Sequence, residues 1–116
     1  MDDQSAAAVP DLVVDVRHDG DAAIVSMAGE LDVSTAPELV DICRSVYAQG
    51  TRDVVLDLTD TSLLDSSGLR ALIGAQQLFG DDGGNVRLSH PSEPVMRLLE
   101  ITGLSGYFSI EDAPTG

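Results

Sequence analysis

The chain has no tryptophan and no lysine, a single cysteine, and only four aromatic side chains, Tyr47, Phe79, Tyr107 and Phe108, in 116 residues. With so few rings, a core must be built from Leu, Val, Ile and Ala, and an apolar content of 43% is enough to supply one. One cysteine, Cys43, excludes an intramolecular disulfide and any cysteine metal motif; on a helix face it reads as a core residue. Without lysine, a glycine-rich phosphate loop ending in lysine cannot occur. Six arginines face twenty acidic residues, for a formal charge of -14. No basic track is therefore present to displace counterions, which makes nucleic acid and anionic membranes poor partners. The same charge favours encounter with a basic protein surface. No apolar run approaches the roughly 20 residues that span a bilayer. Met1-Asp2-Asp3-Gln4 also lacks the basic start and apolar stretch of a secretory signal. The expectation is a soluble, cytoplasmic protein with no direct membrane insertion.

What remains is the length and pattern of one domain. Leu12, Val14 and Val16 alternate with Val13, Asp15 and Arg17, a strand period. The turn His18-Asp19-Gly20-Asp21 leads to a second strand from about Ala22 to Ala28, giving an antiparallel hairpin. Gly29-Glu30-Leu31-Asp32 breaks that pattern. Thr35-Ala36-Pro37-Glu38 has the form of a capping box, with the Thr35 hydroxyl accepting an early amide and Glu38 returning a bond. The helix after it turns Leu39, Cys43, Val46 and Tyr47 inward and ends at Gln49-Gly50. A third strand covers Asp53 to Leu58; the helix between it and the second strand allows a parallel, right-handed crossover.

Asp60 to Ser66 then reads as a loop into a second helix, which starts near Ser67 and faces inward through Leu69, Leu72, Ile73 and Phe79. Val86 and Leu88 mark a fourth strand. A third helix places Val95, Leu98 and Leu99 inside and is stopped by Gly103, with Leu104 folding back. Tyr107 to Ile110 forms a short last strand. The alternation in the strands argues for one mixed sheet with helices mainly on one face, a single α/β domain over 12–110, with 1–11 and 111–116 as flexible termini.

The loop around Asp65-Ser66-Ser67-Gly68 lies beyond a strand's carboxyl end, where ligands of open α/β folds gather. Ser66 or Ser67 can serve as a plain N-cap or as a modified residue, and Gly68 would let a partner's backbone approach closely. A phosphate here would be favoured by helix-end amides and opposed by Asp57, Asp60 and Asp65. An enzyme needs more than a serine. The nucleophile-elbow spacing is absent, His18 and His90 read as turn residues, and the carboxylates show no calcium-loop spacing. No catalytic residue, metal or cofactor is expected.

The stretches Gly29-Glu30-Leu31-Asp32, Thr35, Val54-Val55-Leu56-Asp57-Leu58, Asp65-Ser66-Ser67-Gly68-Leu69 with Leu72, and Pro91 through Leu104 resemble the STAS family. The similarity is to its bacterial anti-sigma factor antagonists, from about Leu12 to Ile110. The resemblance implies a STAS-like fold, with Ser67 as the phosphorylation site. It also implies a docking surface bordered by Asp32 and Asp65, with Glu30, Asp60, Ser66 and Gly68 beside them. Implied partners are an anti-sigma factor serine kinase of the histidine-kinase-like ATPase fold and a PP2C-type phosphatase. The unphosphorylated protein would bind the anti-sigma factor and release the sigma factor. Family members commonly continue into a further helix, whereas here only Glu111 to Gly116 follow the last strand. The alternatives are a non-catalytic STAS scaffold or transporter-associated subunit, and a small serine hydrolase. A homodimer through the one-sided sheet is a further open alternative.

Overall fold

Alternating apolar residues place the first two strands, β1 (Leu12–Asp19) and β2 (Ala22–Leu31), in an antiparallel hairpin that pairs Leu12 with Gly29 and Asp19 with Ala22. In the computed structural model, which describes residues 10–111, a helix α1 (Ala36–Ala48) follows, then β3 (Asp53–Asp57), β4 (Thr61–Leu64), α2 (Ser66–Gly80), β5 (Asn85–Ser89), α3 (Glu93–Ile101) and β6 (Ser109–Glu111). The sheet order is β1-β2-β3-β5-β6, with every pair after the hairpin parallel, and β4 lies against the far end of β2. This is the expected single α/β domain with a mixed sheet and helices mainly on one face.

Register explains the one-sided cover. Ala23, Val25 and Met27 of β2 align with Val54 and Leu56 of β3 and with Val86 and Leu88 of β5, and all are buried. Leu39, Cys43 and Val46 of α1, Leu72 and Phe79 of α2, and Val95 and Leu99 of α3 close over them. The opposite face carries Asp15, Ser26, Asp57 and Arg87, none of them fully buried, the pattern of a sheet wetted on one side. β1 is an edge strand. Its Val13 and Val16 are 52% and 37% exposed, so its alternation marks a pleat that little covers. Burial pushes the Cys43 thiol up to about 11, which keeps it neutral and part of the core.

Three local expectations change. β2 does not stop at Ala28: it runs through Gly29-Glu30 to Leu31, with a register irregularity there against β4. Asp60 to Leu64 is not all loop, because Thr61–Leu64 forms β4; the Thr61 hydroxyl, fully buried, donates to the Met27 carbonyl at 3.0 Å. The last strand begins at Ser109, later than Tyr107, since Tyr107 and Phe108 instead pack edge to face. Other signals hold. Gly103 takes a positive φ of 75°, its amide donates to Glu100, and Leu104 donates to Leu99 and packs on the core, the double bond of a Schellman cap. Of the termini expected to be flexible, 1–9 and 112–116 lie outside the described residues. Asp11 accepts a 2.7 Å bond from the Glu30 amide, and Glu111 belongs to β6. None of the described helices is long and apolar enough to cross a membrane.

At the amino-terminal pole of β3, Arg52 lies over the Tyr47 ring and bonds Asp82 at 2.8 Å, while the Tyr47 hydroxyl donates to the same carboxylate at 3.0 Å. This contact ties the end of α1 to the turn between α2 and β5. The core predicts a sharp contrast in mutational cost. Leu56→Ala, at a fully buried site, should lower the unfolding free energy by about 2–5 kcal/mol. Val16→Ala on the edge strand should lower it by less than about 1 kcal/mol. Urea titrations of the two variants measure both.

Candidate functional site

The carboxyl edge of the sheet brings together the end of β2, β4 and the start of α2. What holds them is one carboxylate. Asp65, not Ser66 or Ser67, is the N-cap of α2: its Oδ1 accepts from the Gly68 amide at 2.9 Å, and its Oδ2 accepts from the Val33 amide at 3.3 Å. Neither serine supplies the cap. Among the described residues the Ser67 hydroxyl has no hydrogen bond within the chain, so the fold does not use it. Ser66 is exposed and Ser67 half-buried.

Gly68 departs from expectation. It is buried rather than offered to a partner: a methyl there would overlap the Leu31 carbonyl oxygen and come within 2.7 Å of the Leu64 side chain. Its lack of a side chain lets α2 start against β2, so Gly68 belongs to the support of the site and not to its surface.

The loop from Glu30 to Thr35 is built on a second set of bonds. The Asp32 Oδ1 accepts from the Ser34 amide at 3.0 Å and the Thr35 amide at 3.2 Å. Thr35 does not form the expected capping box. Its hydroxyl donates to the Glu30 carbonyl at 2.7 Å and accepts from the Asp32 amide at 2.9 Å, and no side chain caps α1. Thr35 is thus a buried strut that turns the chain from β2 into α1. Asp32 and Asp65 stand half-buried on either side of the loop, and Glu30 is exposed. Asp60 accepts from the Gly29 amide at 3.0 Å through its carbonyl, next to Glu30, and lines a depression with Val13, Asp15, Ser26 and Asp57 on the wet face.

Ser67 opens instead into a hollow of about 460 Å³ between α1 and α2, lined also by Val33, Ala36, Val40, Arg44 and Arg70. Val33, 69% exposed, forms its rim. The sequence reading missed these residues. Arg70 was accessible to it, because a helix places i and i+3 on one face; Arg44 and Val33 reach the hollow only through the packing of α1 on α2. Neither histidine lines it. The Ser89 hydroxyl lies 2.7 Å from His90 Nδ1, and His18 lines a cleft with Gly50 and Gly83 at the other pole. Among the described residues no group of His, Cys, Asp or Glu is placed to hold a metal ion.

Beside this edge, burial raises the Asp57 carboxyl, but hydrogen bonds from the Thr59 hydroxyl and amide and from Ser26, with the nearby His90, outweigh it and hold the group below the usual carboxylate range.

A family model described as the STAS domain matches residues 13–114. An anti-sigma-B factor antagonist of Bacillus subtilis is 35% identical over 103 residues, covering 89% of this chain and 94% of the relative. A crystal structure of an anti-sigma factor antagonist from Mycobacterium paratuberculosis superposes with a TM-score of 0.80 at 27% identity, covering 90% of each chain. The Bacillus cell fate determinant SpoIIAA, in its phosphorylated form, shares the fold at a TM-score of 0.69 and 18% identity, over 89% of this chain and 92% of that one.

Two outcomes test the local architecture. Gly68→Ala should destabilise by about 1–3 kcal/mol through forced overpacking, and Asp65→Ala by about 0.5–2 kcal/mol through the lost cap; both are read from urea midpoints. Asp57, with its carboxyl held low, stabilises the fold above the unfolded-state value near 4, and that contribution is lost as pH falls through the lower folded value. Asp57→Asn should therefore flatten the acid limb of stability against pH below about 4.

Proposed function

The chain belongs to the STAS-domain family, and on that premise we propose that it is an anti-sigma factor antagonist switched by phosphorylation of Ser67. Unphosphorylated, it binds its anti-sigma factor and frees the sigma factor; phosphorylated, it lets the anti-sigma factor go. The relatives at about 35% identity supply the class of partner. The observation that carries the switch is the Ser67 hydroxyl, half-buried at the lip of a partly apolar hollow and engaged by nothing in the fold.

The partner in this reading is a serine kinase of the histidine-kinase-like ATPase fold. It docks over Glu30, Asp32, Asp65 and Ser66. The kinase transfers the γ-phosphoryl of ATP to Ser67 Oγ: the new O–P bond forms, the bond to the bridging oxygen breaks, ADP leaves and the hydroxyl proton passes to a base of the kinase. A PP2C-type phosphatase returns the serine and inorganic phosphate by hydrolysis. The setting is the cytoplasm, where these partners and the sigma factor meet. The antagonist itself performs no chemistry.

Charge explains why one group suffices. The docked hollow is dry on its Val33 and Val40 side, and phosphoserine brings about -1.5 to -2 charges. Burying that anion against a partner without a matching cation costs several kcal/mol. The fold itself loses no bond, since Ser67 makes none.

The test uses the anti-sigma factor recovered with the wild-type chain from its own cells. Ser67→Ala should bind like the wild type but resist phosphorylation, and Ser67→Glu should bind at least about tenfold more weakly, equivalent to about 1.4 kcal/mol, with unchanged circular dichroism. Phosphopeptide mass spectrometry should find phosphate on Ser67 in cells. Full affinity of the Ser67→Glu variant, or a Ser67 peptide that is never modified under any condition, would reject the switch.

A further inference from the structure

We propose that Arg44 and Arg70 form an intramolecular clamp for a phosphate on Ser67, so that phosphorylation closes the hollow as well as charging it. The proposal rests on the reading of Ser67 as the modified residue and adds how the modified state is held.

Three observations converge. Arg44 and Arg70 line the same hollow as Ser67 from facing helices, Arg70 one helical turn beyond the serine. In a chain with twenty acidic residues, three other arginines have carboxylate partners: Arg52 with Asp82 at 2.8 Å, Arg87 with Glu111 at 3.1 Å, and Arg97 with Glu93 at 3.9 Å. Among the described residues no ion pair or hydrogen bond engages Arg44 or Arg70. Finally, two of the amides at the start of α2 already have acceptors, which leaves only those of Ser66 and Ser67 to an anion. Gly68 donates to Asp65 Oδ1, and Leu69 donates to the Asp65 carbonyl at 2.9 Å.

The remaining charges oppose a phosphate at this point. Asp41 lines the hollow, Asp65 stands at its neck, and Glu38 is exposed in the first turn of α1. A dianion among these carboxylates needs a local cation, and guanidinium groups match phosphate geometry with paired donors. Arg44 and Arg70 also line the groove that continues along α1 and α2 past Gly74 and Leu78. Each therefore has room to lie along the groove when Ser67 is free and to swing over it when Ser67 is phosphorylated. In the second position the guanidiniums cover Val40 and Ala71, the apolar floor a partner would use. The switch then works by occupation of the docking surface in addition to repulsion.

The experiment installs phosphoserine at position 67 during translation of the full chain and follows its ³¹P resonance against pH. The second ionisation of the wild-type phosphate should lie below the ordinary value near 6. It should rise by about half a unit or more in the Arg44→Gln/Arg70→Gln double variant, since a lost cationic neighbour favours the protonated form. Both arginines are exposed, and glutamine keeps most of each stem, so folding should persist. Arg17→Gln on β1, outside the hollow, removes one positive charge, half the change made by the double variant, and should leave the titration in place. An unchanged titration in the double variant, or an equal shift in Arg17→Gln, would overturn the clamp. Because no kinase adds this phosphate, a flat titration removes the clamp and leaves the switch standing. An unmodified Ser67 in cells would remove the switch and leave the titration readable.

Discussion

The site depends on how closely the start of α2 can approach the end of β2. Gly68 has to sit against the Leu31 carbonyl, and the Asp65 carboxylate spans from the Gly68 amide to the Val33 amide. With a side chain at 68 the helix would have to shift outward, and the Asp65 bridge could not keep both contacts. The serine next to this junction is therefore fixed in place by its neighbours while contributing nothing to the fixing. The same edge is held further back by hydroxyls: Thr61 bonds the Met27 carbonyl, and Ser92 at the start of α3 bonds the Thr61 carbonyl. Three buried or half-buried polar groups thus connect β2, β4, α2 and α3. Each is satisfied, as buried polar groups must be if they are not to cost stability.

This division separates stability from recognition. The energy of the fold resides in aliphatic burial between the strands and three helices, with Leu56, Leu72, Leu88 and Leu99 all fully buried. The edge proposed for recognition is polar and rich in bonds from backbone amides to carboxylates. A -14 chain tolerates this arrangement because its acids lie mainly outside, where water screens them. Asp82 at the far pole shows the same economy. Hydrogen bonds from Tyr47 and then Arg52 hold its carboxyl below the usual range, so the acid stabilises a turn instead of repelling its neighbours.

The sequence made the regular elements legible and concealed their junctions. Alternation in Leu12 to Ala28, the run Val54-Leu56-Leu58, and the glycine stop at Gly103 each carry their own physics, so strand, core face and cap could be read locally. β4 could not. Thr61-Ser62-Leu63-Leu64 has no clear alternation, and it is a strand only because the end of β2 offers free backbone groups beside it. Thr35 and Glu38 fit a capping box in spacing, but the Asp32 turn reaches Thr35 first and redirects its hydroxyl to Glu30. Gly68 was assigned to the partner side because a glycine beside a serine looks open; its crowding by Leu31 and Leu64 is a tertiary fact. Asp60 lines the wet face with Asp57 while its carbonyl holds the Gly29 amide beside Glu30, a placement that its spacing from Asp65 does not reveal.

Ser67 was legible as a landmark through its family resemblance, but its physical suitability emerges only from what the surrounding bonds leave unused. An N-cap serine would have been a poor switch, since phosphorylation would remove the bond that starts the helix and couple signalling to local unfolding. With Asp65 as the cap, the bond that starts α2 does not involve the Ser67 hydroxyl. In the proposed switch, stability and state are then set at different residues. A dianion placed at 67 changes what the surface presents to a partner while the helix beneath it stays anchored. On the proposed reading that independence follows from a carboxylate two positions earlier, which would let a small aliphatic domain carry a reversible charge while its helix cap stays in place.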